Sequence, residues 1–429
     1  MNPWTNFPVN SNKIIRLPMS KTPPNIPPNS IVLGNSRSYG DVCIGEDNSL
    51  ILSSSDHFLG FDSINQTIKV EGGVLLDQIL KIIVPRGFFL PVTPGTKFIT
   101  VAGAVANDIH GKNHVLDACF GNHVTEIGLK RSSGEQLILS PTQNSNLFKA
   151  TIGGLGLTGI VEYVEFKLKP ISNSFIDQET IKFANLKEFI EIAEESKKHL
   201  YTVAWVDCLA KGSSLGRGLF MRGNPSKASK ELDTHSRPKL GVPFSLPNFT
   251  LNKASMWLFN QFYYNKQLKP VTHSTIHYDP FFYPLDGIKD WNRIYGSRGF
   301  LQYQFALPFA AGYEVLELIF KKISASGMGS FLAVLKTFGD IKSPGLLSFP
   351  IEGYTLALDF AIQGPKLFSL LNELDEIVVQ NSGRIYPGKD ARMSSKSFKS
   401  SYPQWEELES HRDPMMKSKF WNRVTMGES

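Results

Sequence analysis

The sequence predicts an α+β protein in which two kinds of pattern follow one another along its 429 residues. Between residues 31 and 170, short apolar runs alternate with glycine-rich turns, which is typical of a fold made of short strands. After Pro170, amphipathic helices alternate with strands, which is typical of an antiparallel sheet covered by helices. The chain also contains 35 glycines and 26 prolines, and so many breakers do not suit a helical bundle.

The composition excludes several classes of protein. With 41% hydrophobic and 20% charged residues the chain is an ordinary globular one, long enough for two to three domains. The net charge of +6 favours acidic ligands or a membrane surface but is too small to predict nucleic-acid binding. Three scattered cysteines predict neither a disulfide framework nor a zinc site, and no metal is expected. No transmembrane run and no secretion signal can be read.

The first part of the chain carries mostly strands. Residues 1–30 contain many prolines and predict an irregular lead-in. One helix stands out because Leu76, Ile79, Leu80 and Ile83 share a face and Gly87 follows them, and a second short helix is predicted at 146–150. The predicted strands are 30–33, 49–52, 67–71, 124–130, 137–139 and 160–168.

The second part alternates helices and strands. Asn185 and Glu188 form a capping-box pattern ahead of an amphipathic run. Further helices are predicted at 313–325 and 365–379, and a mobile loop at 223–250. The predicted strands are 202–208, 299–307, 329–336 and 354–362.

Two of these strands have faces of different character. In 300–307 and 354–362 the large apolar side chains alternate with small or uncharged polar ones, apart from Asp359. The apolar face must pack against helices. The other face could be exposed to solvent or could cover a polar ligand, and its shortage of Lys and Glu favours the ligand.

One literal motif does not support its usual interpretation. The segment Gly154-Leu-Gly156-Leu-Thr-Gly159 matches the dinucleotide pattern G-x-G-x-x-G. That pattern needs a strand before it and a helix after it, whereas a predicted strand follows here. We therefore do not predict a Rossmann domain.

Two other groups of small residues suit a cofactor better. Residues 33–41 form a turn of small residues after a strand, where consecutive backbone N–H groups can hold phosphate. Residues 94–96 and 100–114 include Val-Ala-Gly-Ala-Val-Ala, a run small enough for a flat ring to approach closely. Each group alone is equally compatible with structural turns and tight helix packing, but both occur in one predicted domain.

Together these segments resemble a known family. The motifs Gly-x-x-Arg-Ser-Tyr-Gly-Asp, Pro-Gly-Thr, Val-Ala-Gly-Ala-Val-Ala-Asn-Asp-Ile-His-Gly-Lys-Asn-His and Gly-Gly-Leu-Gly-Leu-Thr-Gly-Ile resemble the vanillyl-alcohol-oxidase type of FAD-binding domain. The likeness is greatest to the branch that oxidises polyprenylphosphoryl ribose. It continues through Trp-Asn-Arg-Ile-Tyr-Gly at 291–296 and Gly-Arg-Ile-Tyr-Pro-Gly-Lys-Asp-Ala-Arg at 383–392, so it spans nearly the whole chain.

The resemblance implies a two-lobed FAD-binding domain with an inserted antiparallel-sheet substrate domain. The implied boundaries are 1–172 for the FAD domain, 173–383 for the substrate domain and 384–429 for a segment completing the FAD domain. Many relatives attach FAD to a histidine at the position of Tyr39, and a phenol cannot form that bond, so the FAD is expected to be non-covalent. The implied FAD-lining residues are Gly34, Asn35, Ser36, Arg37, Ser38, Tyr39, Gly40, Gly95, Thr100, Val101, Ala102, Gly103, Asn107, Asp108, Ile109, His110, Ile160 and Tyr386.

The resemblance also implies a substrate pocket. Its substrate-binding positions are Lys112, Trp205, Gln304, Lys336, Thr355 and Ala357, and its catalytic positions are Lys389 and Tyr39. Lys112 and Lys336 suit a phosphate and Gln304 suits sugar hydroxyls, although any single lysine is also compatible with a solvated surface charge. Thr355 and Ala357 depart from mycobacterial relatives, which carry asparagine and cysteine there. Lys389 is the expected general base, because oxidation of a hydroxyl requires its proton to be accepted.

The expected reaction is therefore FAD-dependent oxidation of the 2′-hydroxyl of polyprenylphosphoryl-β-D-ribose to a 2′-keto sugar, the first half of epimerisation to arabinose. The alternatives are an alditol or aldonolactone oxidase, and a flavin-binding protein without catalysis that assembles with a reductase. The expected partners are the lipid-linked sugar, an NAD(P)H-dependent short-chain reductase and a membrane surface, with a polyprenyl tail near 223–250 and 257–264. The expected location is cytoplasmic or peripheral on the inner membrane, with the periplasmic face as an alternative.

Overall fold

The computed structural model describes residues 3–9, 12–18, 26–53, 55–227, 231–238 and 240–427. Its secondary structure is mixed, and the strands are of short to moderate length. The strands are β1 Lys13–Pro18, β2 Ser30–Val32, β3 Asn48–Ser53, β4 Phe58–Asp62, β5 Thr67–Glu71, β6 Phe88–Phe89, β7 Val124–Lys130, β8 Gln136–Leu139, β9 Ile160–Lys167, β10 Lys169–Pro170, β11 Phe175–Phe183, β12 Tyr201–Val206, β13 Gly218–Pro225, β14 Leu240–Gly241, β15 Val271–His277, β16 Ile288–Lys289, β17 Phe300–Pro308, β18 Ala333–Phe338, β19 Gly353–Ala361 and β20 Arg384–Ile385.

The helices lie mainly in the second half of the chain. They are α1 Leu76–Ile83, α2 Val101–Ala106, α3 His114–Asp117, α4 Ser145–Thr151, α5 Leu186–Glu195, α6 Lys253–Asn265, α7 Tyr278–Phe282, α8 Gly312–Ser326, α9 Pro365–Gln380, α10 Ser395–Ser401, α11 Trp405–His411 and α12 Lys419–Met426. The helices predicted from periodicity at 76–83, 146–150, 313–325 and 365–379 are confirmed as α1, α4, α8 and α9. The predicted cap at Asn185 is also confirmed, because its side chain accepts from the backbone N–H of Lys187 and Glu188.

The first part of the chain folds into two larger sheets and a two-stranded antiparallel pair of β6 with β10. Strands β4, β5, β9, β7 and β8 lie in that order in an antiparallel sheet, and β1, β3 and β2 form a parallel one. All six strands predicted between 31 and 170 are present. The prediction of an irregular lead-in over 1–30 is wrong at β1, because that stretch finds a parallel partner in β3. Residues 1–2, 10–11 and 19–25 of the lead-in lie outside the described residues.

The second part forms one large antiparallel sheet. Within the described residues its strand order is β15-β11-β13-β12-β18-β19-β17-β20. The mixture of this sheet with covering helices confirms the α+β class. The predicted domain boundaries at 172 and 383 stay a prediction.

The two faces of this sheet differ as the alternation predicts. The large side chains of β17 and β19, including Phe305 and Leu356, pack with α8 and α9 in one hydrophobic core. The opposite face carries Gln304, Thr355 and Asp359, and each of these is at most 6% exposed. This face is therefore buried and does not form a solvent-exposed surface.

Three segments differ from the prediction. The strand predicted at 329–336 begins only at Ala333. Residues 330–332 bend instead, and the hydroxyl of Ser330 donates to the carbonyl of Leu332. The loop predicted at 223–250 begins after Pro225, and β14 interrupts it; residues 228–230 and 239 lie outside the described residues. The aromatic stretch 257–264 lies in α6, which Asn252 caps.

Candidate active site

A loop of small residues at 34–40 follows β2 and meets two distant parts of the chain. A Cβ on Gly34 would lie 2.6 Å from Thr100 Oγ1, and a Cβ on Gly40 would lie 1.6 Å from the carbonyl oxygen of Asp390. A side chain at either position would therefore push the segments apart. The side chain of Asn35 adds a hydrogen bond of 2.7 Å to the carbonyl of Phe98. The glycines thus allow this loop, the start of α2 and the loop before Asp390 to converge.

Helix α2 presents a surface of small side chains. Thr100 caps it by accepting from the N–H of Gly103, while Val101, Ala104 and Val105 are buried. Ala102, Gly103 and Ala106 are only partly buried, so this side of the helix is open and almost flat. A planar ring system can approach such a surface closely, as the sequence predicts for this segment.

Polar atoms beside this surface lack partners within the described residues. They are Nε of Arg37, Oδ1 of Asn107 and Nδ1 of His110, and all three are buried. The amide of Gln304 lies 3.1 Å from Nε2 of His110, so Nδ1 carries the ring proton when that amide donates. Buried polar atoms are nearly always paired in folded proteins. A bound ligand with acceptors and donors would satisfy these three, so the residues present fit FAD.

The C-terminal segment completes this cradle. The hydroxyl of Tyr386 donates to the carbonyl of Asn107 at 3.2 Å, and its ring stacks on Phe349 with centroids 4.5 Å apart. The backbone N–H of Tyr39 donates to the carbonyl of Gly388 at 3.3 Å. Three separate segments of the chain that are predicted to line FAD are thus neighbours.

Three of the predicted FAD residues are placed differently from the rest. The carboxyl of Asp108 turns away from the cradle and accepts from the N–H of Gly121 and the hydroxyls of Ser343 and Ser348. Burial raises the pKa of this carboxyl. Ile160 packs in the cluster that contains Leu50 and Met416. No atom lies within 4 Å of a Cβ on Gly95, so that position borders open space.

Lys389 and Tyr39 lie side by side next to the cradle. The ammonium nitrogen of Lys389 is 3.5 Å from the centroid of the Tyr39 ring, and that ring packs edge-on against Phe300. Burial lowers the pKa of Lys389, and the carboxyl of Asp359 opposes that effect. Burial likewise raises the pKa of Asp359, so the two groups are an acid and a base in one apolar interior.

The predicted substrate residues, apart from Lys112 in the loop before α3, share the polar face of the large sheet. Gln304 pairs with Ala357, Ala357 with Val334, and Val334 with Trp205, which makes one row across four strands. The next row contains Thr355 paired with Lys336. Paired residues point to the same face, so the sheet brings these positions together.

Contacts on this face fix two of the polar side chains. The amide of Gln304 reaches Thr355 Oγ1 at 3.4 Å as well as His110. The indole N–H of Trp205 donates to the carbonyl of Phe331 at 3.0 Å, and its ring lies 4.6 Å from that of Tyr263 in α6. Trp205 therefore lies where the sheet meets α6.

Two partly buried lysines near this face have no carboxylate within ion-pair distance in the part of the chain that the structure describes. Lys336 donates to the carbonyl of Gly111 at 3.1 Å, and Lys112 contacts the carbonyl of Phe282 at 3.4 Å. Burial lowers the pKa of Lys112 to about 8. Burial, followed by the charges of Lys112 and Lys389, lowers that of Lys336 to about 7. The pair is a concentration of positive charge that a bound anion would stabilise.

Sequence reasoning missed three supports of the site, namely Trp4, Thr5 and Arg423. The guanidinium of Arg37 lies 3.8 Å over the ring of Trp4, and the hydroxyl of Thr5 donates to the carbonyl of Tyr39 at 2.7 Å. Arg423 in α12 bonds both Asp41 and Asp390. No local pattern marks these three residues, because each contacts a partner more than 30 positions away in the chain.

Comparison with known proteins agrees with this site. The family description "FAD binding domain" matches residues 29–140. Decaprenylphosphoryl-beta-D-ribose oxidase from Mycolicibacterium smegmatis is 36% identical over 88% of this chain and 84% of its own. A putative D-arabinono-1,4-lactone oxidase from Neurospora crassa is 27% identical over 32% of this chain and 24% of its own. Alditol oxidase from a Streptomyces species is 28% identical over 25% of this chain and 26% of its own.

Fold, cradle and comparisons together define an FAD-dependent oxidoreductase of the vanillyl-alcohol-oxidase type. Within that class, the long match to the mycobacterial protein covers both the FAD cradle and the large sheet. The chain belongs to the family of decaprenylphosphoryl-beta-D-ribose oxidase.

Proposed function

We propose that this protein oxidises the 2′-hydroxyl of a polyprenylphosphoryl-β-D-ribose to the 2′-keto sugar, which is the first half of epimerisation to arabinose. The observation that carries the proposal is a pair of partly buried lysines, Lys112 and Lys336, near the neutral amide of Gln304, with no carboxylate partner among the described residues. A phosphate requires cations, and sugar hydroxyls require neutral hydrogen-bonding groups. A free alditol or lactone has no group that would offset two partly desolvated positive charges.

The chemistry divides between the cofactor and the chain. FAD, when bound, supplies the two-electron acceptor for oxidation of a secondary alcohol to a ketone. Lys389 is the proposed base: its lowered pKa keeps part of the amine neutral at physiological pH, and the neutral amine accepts the hydroxyl proton at Nζ. The ring of Tyr39 orients that amine from 3.5 Å. Asp359, buried and bonded by Gln302, is the nearby group that stabilises the protonated lysine.

We propose that the FAD is held non-covalently. Tyr39 lies where relatives with covalent FAD carry histidine, and its phenol has no nucleophilic nitrogen. The remaining candidate for a bond to the cofactor is His110, whose Nε2 is already engaged by Gln304. Burial and the neighbouring Lys336 hold the pKa of His110 well below its usual range, so the ring is a neutral hydrogen-bonding group.

Conversion of the keto product to arabinose requires a second enzyme. A 2′-keto sugar becomes arabinose only by reduction from the opposite face, so the proposed partner is an NAD(P)H-dependent short-chain reductase.

Among the residues that the structure describes, no helix combines the length and apolar character needed to cross a bilayer. By similarity to the family, we propose a cytoplasmic or peripheral inner-membrane location, with the periplasmic face as the alternative for fractionation to test.

Two alternative functions make different demands on the site. An alditol or aldonolactone oxidase is favoured by the partial matches to such enzymes, but these cover only a quarter to a third of the chain. A flavin protein without catalysis, serving a reductase, would not need Lys389 and Tyr39 beside the cradle and Gln304 on the adjoining face of the large sheet. Both alternatives predict that phosphorylation of the sugar contributes nothing to recognition.

Anaerobic mixing of the FAD-loaded protein with detergent-dispersed polyprenylphosphoryl ribose tests the proposal. We expect bleaching of the flavin absorbance by this substrate and not by alditols or aldonolactones at the same concentration. Bleaching by an unphosphorylated alditol or lactone alone would establish the first alternative. An unbleached flavin with every substrate, in protein that dithionite still reduces, would establish the second.

A further inference from the structure

Helix α6 exposes an unusual amount of apolar surface. Trp257, Leu258 and Phe262 are 53%, 64% and 72% exposed, and the flanking Phe249 and Leu268 are 77% and 89% exposed. We call these five residues the apolar face. Single exposed apolar side chains are common, but a cluster of large ones marks an interaction surface.

The opposite side of α6 explains why the helix is held in this orientation. Met256 and Asn260 are buried, and the Asn260 amide donates to Asp207 at 2.9 Å. Phe259 and Tyr263 pack on Phe331 and Trp205 at the polar face of the large sheet. The helix is thus fixed over the edge of the substrate site with its apolar face directed outward.

The stretch of chain that contains α6 carries charge of one sign. Residues 234–278 contain five lysines and arginines and no aspartate or glutamate. At the average of the chain, which has 39 acidic residues in 429, a stretch of this length would carry about four. Lys253 and Lys266, at the two ends of α6, are exposed and have no carboxylate partner in the described part of the chain. This combination suits an anionic surface with an apolar interior.

A cavity of about 630 Å³ adjoins the Trp257 side of the helix. It lies between α6, the loop after β12 and the end of α8, and its walls are mainly apolar. Lys211, Arg217 and Lys253 lie at its edge, and Asp207 pairs with Arg217 at 3.0 Å. The cavity can take the glycerol region of a lipid, with its phosphate near Lys211 and Lys253, for which the described residues offer no carboxylate partner.

We propose that α6 binds the surface of an anionic lipid bilayer, with the apolar face inserted at the level of the head groups and one lipid phosphate at the cavity beside Trp257. This deepens the proposed function, because it places the edge of the substrate site against the phase that holds a polyprenyl chain. An interfacial helix with large apolar residues and flanking lysines binds in this way, with its apolar face about 5–10 Å deep.

Vesicle co-sedimentation of the full-length, FAD-loaded protein tests this inference without any sugar substrate. We expect binding to phosphatidylcholine vesicles that contain phosphatidylglycerol, little binding to phosphatidylcholine alone, and loss of binding as salt rises. The double variant Leu258→Ser/Phe262→Ser should bind about tenfold more weakly or worse. The double variant Lys253→Gln/Lys266→Gln should bind about 30-fold more weakly, at about 1 kcal/mol per charge.

The matched control is Ile64→Ser/Ile138→Ser, which removes two exposed apolar side chains from the other lobe. Flavin content confirms that each variant folds. Absence of sedimentation by the wild type, or equal loss in the control, would overturn the inference. So would a dimer in light scattering that dissociates in the α6 variants, because a second copy would then cover the apolar face. Failure of the proposed function appears separately, as a flavin that detergent-dispersed substrate does not bleach.

Discussion

At the scale of single residues, Lys389 is the position where the chemistry can be tested most directly. Its amine is buried beside the Tyr39 ring, and Lys389→Met keeps the length of the side chain while removing the proton acceptor. We expect this variant to retain FAD and to lose flavin reduction by substrate about 10²-fold or more, the usual effect of removing a positioned base. Stopped-flow absorbance of the loaded protein measures this rate.

Lys396→Met is the matched control for that variant, because Lys396 is exposed in α10 only a few residues away. It should reduce flavin at the wild-type rate. Near wild-type reduction by Lys389→Met itself would mean that another group, Tyr39 or Lys112, accepts the proton.

The lysines of the active site should make substrate affinity and kcat respond to pH in opposite directions. Lys112 and Lys336 attract a phosphate only when charged, and their pKa values are lowered to about 8 and about 7. As pH rises through these values the cations are lost, so KM for the phosphorylated substrate should rise. Lys389 accepts a proton only when neutral, so kcat should rise with pH up to its lowered pKa. Steady-state kinetics from about pH 6 to 9 cover the range in which these lysines titrate. A KM independent of pH would show that the lysine pair does not bind the phosphate.

The presence of Tyr39 in place of a histidine predicts that the FAD is released when the protein is denatured. Because its phenol cannot form the linkage made by a histidine, we expect acid denaturation to release all yellow colour into the supernatant. Mass spectrometry of the pellet should show an unmodified chain. Flavin that stays with the precipitated protein would contradict this and identify His110 as the attachment point.

At the scale of elements, α12 fixes the active-site loops from outside. Arg423 bonds the carboxyl of Asp41 at 2.7 Å and that of Asp390 at 3.1 Å, so one guanidinium joins the loop after Tyr39 to the residue after Lys389. Arg423→Ala leaves two buried carboxylates facing each other without a cation. We expect it to cost about 3–5 kcal/mol of unfolding free energy and to weaken FAD retention.

Denaturant unfolding followed by flavin absorbance checks both effects of Arg423→Ala. Arg16→Ala, in the exposed part of β1, is the control and should change neither. Normal FAD retention in a destabilised Arg423→Ala protein would show that α12 stabilises the fold without contributing to FAD binding.

The elements themselves were largely predictable because periodicity is a local property. Helix α1 has four apolar residues on one face, all fully buried, and a glycine in the left-handed region, Gly87, just beyond its end. β1 was not predictable, because its stability as a strand depends on parallel pairing with β3 about 35 residues away. Helix α6 was not predicted either, since its outward face is apolar and the usual amphipathic pattern is absent.

At the scale of the whole molecule, the cradle is shared among segments far apart in the chain. Gly34 and Thr100 reach it from the first quarter of the sequence, and Tyr386 reaches it from the last. FAD binds the folded state in which these segments meet. The free energy of unfolding of the apoprotein should therefore be about 2.7 kcal/mol lower than that of the protein in FAD at a hundred times its Kd. Hydrogen exchange of residues 34–40, 101–107 and 386–389 should accelerate together in the apoprotein. Acceleration confined to one segment would show that the cradle does not act as a unit.

The site was predictable only in part from the sequence. The motifs indicated which residues belong to it, because small residues and rare combinations such as Gly-Lys-Asp are visible locally. The row from Gln304 through Ala357 and Val334 to Trp205 depends on strand order, which no local pattern contains. The shortage of carboxylates around Lys112 and Lys336 likewise appears only when distant segments are brought together.

The convergence of the glycine loop with the chain before Asp390 has a consequence for biosynthesis. A ribosome synthesises residues 34–40 early, whereas residues 386–389 and Arg423 follow only after the whole of the large sheet. A nascent chain that has not reached residue 386 thus lacks the wall that closes the flavin site. We therefore expect such a chain to retain the cofactor poorly, so that flavin is taken up mainly after the large sheet has been made.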